Sequence, residues 1–164
     1  MIDEGIARDV QSLAQALTQR GWMLATAESC TGGMIAAACT DLAGSSEWFD
    51  RGVVTYSYEA KTELLGVDAA LIAQHGAVSE PVVRAMADGA IARSRAHIAV
   101  AVTGIAGPGG GSPAKPVGTV WVAIAMRGRP VVSTLLQLKG DRAAIRSQTV
   151  AWAIHALVGA LAAA

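Results

Sequence analysis

The chain has 164 residues, and its 13 basic and 13 acidic side chains cancel, so overall charge draws it neither to nucleic acid nor to an anionic membrane. Hydrophobic residues make up 52% and aromatic ones only 4%, which predicts a single domain over 1–164 with a core of Ala, Val, Leu and Ile. Two cysteines, Cys30 and Cys39, are too few for a disulfide framework.

The first segment, MIDEGIARDVQSLAQAL, is acidic and amphipathic rather than basic and then apolar, so no secretory signal is read and a cytoplasmic protein is expected. Ile6, Val10, Leu13 and Leu17 recur at helical spacing over 3–20, and Gly21 stops that helix. Residues 22–27 predict a short buried strand, and Thr31-Gly32-Gly33 opens a helix running to about Ala43. Phe49 to Tyr58 is β-like, Lys61 to Leu65 helical and closed by Gly66, and Asp68 to His75 a short helix. Ser79-Glu80-Pro81 combines a cap residue with a first-turn proline, predicting a helix to about Arg95. HIAVAVT (97–103) is strongly apolar, as in strands covered on both faces. VGTVWVAIAM and PVVSTLLQL form an antiparallel hairpin, and Asp141 caps the last helix. Its apolar end, VAWAIHALVGALAAA, is shorter than the roughly 18 residues that span a bilayer, and predicts a buried or subunit-facing helix. Strands alternating with helices predict an α/β protein, a three-layer α/β/α sandwich with a mixed, mostly parallel sheet.

Chemistry concentrates where strands meet loops. TAESCTGG (26–33) places Ser29 at the mouth of a strand-to-helix turn. A turn with a helix cap explains the segment as well as a reactive site does. If it is a site, the amides of Thr31, Gly32 and Gly33 suit an oxyanion or phosphate. Cys30, beside Ser29, is the competing nucleophile, although no histidine stands near it in sequence to form a thiolate. The loop GIAGPGGGSPAKP lacks a Walker A ending and the G-x-G-x-x-G spacing, yet its length suggests ligand binding or disorder. Lys61 is either a solvated surface lysine or, desolvated and neutral, a base for Ser29, with Tyr56 as its proton relay. Arg142 and Arg146 lie one helical turn apart and suit a phosphate or carboxylate, or else form an exposed first turn. Thr103 and Gly104, at the end of a buried strand, are expected in the pocket. His75, His97 and His155 are scattered, so no metal site and no cofactor is expected.

Together and in order, TAESCTGG, GVVTYSYEAKTELLGV, GAVSEPVV, VTGIAGPGGGSPAKPVGTVWVA and GDRAAIR resemble the CinA C-terminal domain family, which includes free-standing nicotinamide-nucleotide amidases. The resemblance runs from about residue 5 to 160. It implies an α/β/α sandwich that hydrolyses the carboxamide of nicotinamide mononucleotide to nicotinate mononucleotide and ammonia. The family's catalytic serine, tyrosine and lysine fall on Ser29, Tyr56 and Lys61. Tyr58 departs from the pattern, standing where the family often has asparagine. Larger members carry a further N-terminal domain, for which this chain has no room, so the stand-alone form is expected. From the chemistry, Arg142 and Arg146 are the phosphate candidates, with the loop around Gly107 covering the nucleotide. The partner expected is thus a small nucleotide, with self-association into a homodimer or larger homo-oligomer compatible with the apolar strands and tail. A non-catalytic pyridine-nucleotide sensor and a serine amidase for another small amide are the alternative functions.

Overall fold

The computed structural model describes residues 3–164. Helix α1 (Glu4–Arg20) leads into β1 (Leu24–Glu28), α2 (Met34–Thr40), β2 (Phe49–Val54), α3 (Tyr58–Leu65), α4 (Ala69–His75) and α5 (Glu80–Ala92). The chain closes with β3 (Ile98–Gly104), β4 (Thr119–Met126), β5 (Val132–Gln137) and α6 (Arg142–Ala162). The strands form one sheet in the order β2-β1-β3-β4-β5. Pairs β1–β2 and β1–β3 are parallel, whereas β3–β4 and β4–β5 are antiparallel, so β4 alone runs against the rest.

Alternation along the strands sorts the two faces by size. Leu24, Ile98, Val100, Val102, Val120 and Val122 face α1, α2 and α6. Most of the intervening residues are alanines, and the register lines them up as Ala25–Ala99–Ala125 and Ala27–Ala101–Ala123. With methyl groups over the centre of that face and Trp121 toward its end, α5 lies close against it through Val82, Val83, Met86 and Ala87. The result is the expected three-layer sandwich.

Caps set most element boundaries. Asp3, Ser57, Asp68 and Asp141 each accept a backbone N–H from the first turn of the following helix. The Ser57 cap starts α3 at Tyr58, so the helix begins three residues before Lys61 and β2 ends earlier than expected. Ser79 precedes α5 but its hydroxyl donates to the Gly76 carbonyl instead of capping. The larger departure lies at α2, which begins at Met34 rather than Thr31. Gly32 (φ 59°) and Gly33 (φ 101°) hold left-handed conformations that no helix continues through. Among the described residues no helix is long and apolar enough to cross a membrane.

Because β1, β2 and β3 run parallel, their carboxyl ends open on one edge, where an α/β sheet presents ligand sites. Helix α3 is held to that edge by α5. A Cβ at Gly89 of α5 would overlap the carbonyl of Leu65, the residue one turn beyond Lys61. Gly89→Ala improves helix propensity by about 1 kcal/mol, yet is expected to destabilise the protein by a net ~2 kcal/mol through overpacking. Urea denaturation reads this, and a stabilised variant would mean that α3 yields without cost.

Candidate active site

The segment after β1 is held by its neighbours rather than by itself. The amide of Ser29 donates to Val102 O (3.1 Å), extending the ladder with β3, and the Thr55 amide donates to Glu28 O (2.8 Å), tying the exit of β2 to the same point. The Glu28 side chain, 1% exposed, turns under the loop. It accepts from Thr31 Oγ1 (2.6 Å) and from the amides of Ile35 (2.8 Å) and Ala36 (3.0 Å). The glycine cap of α2 has no side chain to offer, and Glu28 supplies the missing acceptor from the adjacent strand. The Ile35 and Ala36 amides of α2 are thus already occupied by the chain's own carboxylate. The side chain of Thr31 and the two glycines lie outside the cavity lining, and Gly32 and Gly33 shape the turn through their positive φ.

Lys61 projects from the second turn of α3 and is 1% exposed. Its Nζ stands 3.1 Å from Ser29 Oγ, and it donates to the carbonyls of Thr55 (2.7 Å) and Tyr56 (3.4 Å). No carboxylate among the described residues lies within ion-pair distance of it. Burial therefore lowers its pKa below the ordinary lysine value, opposed only by the nearby Cys30. A neutral amine has two N–H groups and one lone pair. In that form the two carbonyls would take the N–H groups, leaving the lone pair for the Ser29 hydroxyl.

Cys30 shares the loop but not the chemistry. Burial pushes its thiol up to about 11, so at neutral pH it is protonated and weakly nucleophilic. Cys39, inside the core, is pushed up to about 12 by the same cause.

Ser29 and Lys61 sit at the base of a 270 Å³ cavity, near the lower end of small-molecule sites (about 300 Å³ upward). Thr103, Gly104, Gly107 and Arg142 also line it, so four of the residues expected to bind substrate converge there. Arg142 bridges its rim, donating to Gly107 O (2.8 Å) and to the Tyr56 hydroxyl (3.0 Å). Tyr56 thus touches Lys61 through its backbone carbonyl, while its side chain, 59% exposed, reaches the arginine. The Thr103 hydroxyl donates to Ala77 O (2.9 Å), fastening the α4–α5 loop to the strand end. Ala77 and Val78 also line the cavity; as small apolar loop residues they carry no chemical signal in the sequence. Arg146 lies outside the lining and donates to Cys30 O (3.1 Å) and Thr31 O (3.3 Å). Among the described residues no three His, Cys, Asp or Glu side chains gather as a metal site would require. A 340 Å³ groove between β4, β5 and α6, lined by Ile124, Met126, Val132 and Trp152, contains no nucleophile with a base beside it.

A family model for the CinA C-terminal domain matches residues 7–161. The chain belongs to this family. It is 51% identical to the nicotinamide-nucleotide amidohydrolase PncC of Escherichia coli strain K12, over 96% of this chain and 95% of that one. A CinA-like protein of Mycolicibacterium gilvum is 57% identical over 86% of this chain but only 33% of its own length. Among solved structures, the competence/damage inducible protein CihA of Agrobacterium tumefaciens superposes with a TM-score of 0.96 at 45% identity, covering 99% of this chain and 98% of the other. The CinA fold therefore brings the serine and lysine of two separate motifs to one cavity floor.

The state of the thiols is directly testable. At pH 7.5 both cysteines are expected to react with a soluble disulfide reagent at least ~10-fold more slowly than in urea, since the reactive thiolate is both scarce and covered. Rapid modification of Cys30 in the folded protein would show that the loop leaves it open and ionised.

Proposed function

We propose that this protein hydrolyses the carboxamide of nicotinamide mononucleotide, releasing ammonia and nicotinate mononucleotide and so returning the pyridine nucleotide for reuse. The observation that carries this reading is the 3.1 Å approach of a buried, unpaired lysine amine to a serine hydroxyl in a family that includes nicotinamide-nucleotide amidohydrolases.

Amide hydrolysis is slow because attack places negative charge on the carbonyl oxygen and because the amine leaves badly. In the proposed route Lys61 removes the proton from Ser29 Oγ as the oxygen bonds to the carboxamide carbon. The tetrahedral adduct then collapses, the C–N bond breaks, and the proton held on Lys61 passes to the departing nitrogen, which leaves as ammonia. Water enters, Lys61 takes one of its protons, and the second adduct expels Ser29 Oγ with that proton, freeing the carboxylic acid, which loses its remaining proton to solvent as nicotinate mononucleotide. Lys61 is neutral at the start of each half-reaction, which its desolvated setting favours.

Arg142, at the rim and exposed, is placed to exchange its Gly107 and Tyr56 contacts for a phosphate. Tyr56 orients that guanidinium, and the loop around Gly107 covers the ribose. The pyridine ring lies toward Thr103 and Gly104, with its carboxamide against Ser29.

Ammonia release from the mononucleotide is the assay. Ser29→Ala and Lys61→Ala are each expected to lose at least ~10³-fold in kcat, whereas Cys30→Ala keeps most activity. Activity in Ser29→Ala together with an inactive Cys30→Ala would reassign the nucleophile. Arg142→Ala raises KM more than it lowers kcat, and wild-type enzyme prefers the mononucleotide to free nicotinamide.

The pH profile follows from the sign of the lysine shift. Only neutral Lys61 accepts a proton, so kcat/KM rises with pH through its pKa and then levels. That pKa is lowered by burial, so the plateau is reached below the ordinary lysine value of about 10.4. A limb still climbing through that value would remove Lys61 as the base.

A further inference from the structure

The route above uses Ser29 and Lys61 but leaves one cation beside the nucleophile without a task. Arg146, one turn along α6 from Arg142, spends its Nε on Cys30 O (3.1 Å) and its Nη2 on Thr31 O (3.3 Å). Thr31 O also accepts from the Met34 amide (3.1 Å), and Ser29 O accepts from the Gly32 amide (3.0 Å). All three carbonyls from Ser29 to Thr31 are thereby committed.

The amides of the same segment are not. In a trans peptide the carbonyl and the following N–H point in opposite directions. Anchoring Ser29 O and Cys30 O therefore sets the direction of the Cys30 and Thr31 N–H groups. Neither donates to another described residue, although Cys30 is 5% and Thr31 0% exposed. Buried amides without an acceptor are rare unless a ligand or water completes them. Here they directly follow the serine oxygen that attacks. The approach is close: a Cβ on Gly32 would lie 3.4 Å from Arg146 Nη2, and the φ of 59° disfavours a side chain there in any case.

We propose that Arg146 is a positioning residue for the oxyanion site. By holding the Cys30 carbonyl it aims the Thr31 N–H, and by holding the Thr31 carbonyl it fixes the Gly32 amide that bonds Ser29 O and so aims the Cys30 N–H, both toward the oxygen that becomes negative when Ser29 attacks. Glu28 anchors the far end of the same loop through the Thr31 hydroxyl and the α2 amides. The two arginines of GDRAAIR thus divide their work: Arg142 faces the cavity, while Arg146 holds the turn behind the nucleophile. This inference rests on the reading of Ser29 as the attacking group.

The test uses the purified full chain, with Arg146→Ala and Arg146→Gln beside Arg142→Ala. A lost oxyanion donor typically costs ~10²–10³-fold in kcat, and a misdirected one somewhat less. We expect kcat to fall ~10–100-fold in both Arg146 variants with KM changed less than about threefold, and millimolar guanidinium to restore part of kcat in Arg146→Ala. Phosphonylation of Ser29 by a fluorophosphonate, followed by mass spectrometry, should slow in parallel, because that reaction also builds charge on an oxygen. If Arg146→Ala does not fold, Arg146→Gln alone is read by the same criteria. A rise in KM at constant kcat would make Arg146 a substrate contact, and unchanged kinetics would leave it a structural tie; either result overturns the proposal. If the wild-type protein neither releases ammonia nor takes up the probe at Ser29, the nucleophile assignment fails instead.

Discussion

A primary amine in the interior, with no carboxylate beside it, is the constraint around which this fold is arranged. Lys61 is costly to bury charged, since an ammonium loses its hydration and here finds only carbonyls and a hydroxyl as partners. Its side chain is almost fully covered, 1% exposed. Leu65, Val67 and Ile72 join α5 in one apolar cluster, and the alanine ladders of the sheet let α5 press α3 into place. An adjacent acid would have stabilised the charged form and removed the basicity. The packing that disfavours the charge is therefore the same feature that equips the amine to accept a proton.

Glu28 supplies the buried negative charge, but one residue before the nucleophile and aimed elsewhere. Its carboxylate completes the first turn of α2, a short helix whose glycine cap provides no side-chain acceptor. The arrangement trades one anion site for another. Amides that an external anion would otherwise use are filled internally, and the loop gains a fixed anchor between β1 and α2. Its main-chain carbonyl also receives the Thr55 amide, so one residue coordinates the strand that ends in Ser29 with the strand that leads to Lys61.

The two arginines of α6 show how little separation is needed to change a role. Four residues along a helix is one turn and about 6 Å of rise. Over that distance Arg142 meets the rim of the cavity, and Arg146 meets the backbone behind it. Same-face spacing predicts a common ligand only if that ligand is long enough to be met at both heights. Here the nucleophile loop intervenes at the second.

Local signals carried much of the architecture. Apolar strand runs, helical periodicity in α1, and the caps Asp68 and Asp141 are local signals, and β3, α1, α4 and α6 appear where those patterns place them. The start of α2 was misread because the backbone angles of Gly32 and Gly33 answer to a carboxylate on β1 and a guanidinium on α6. Likewise, residue types alone named Ser29, Lys61, Arg142 and Thr103 as worth attention. Their distances depend on three parallel strands ending at one edge, and on a methyl-lined face that lets α5 set the height of α3. Periodicity and capping act over a few residues and are written in the chain. Desolvation, and the choice each polar group makes among competing partners, exist only once distant segments have packed.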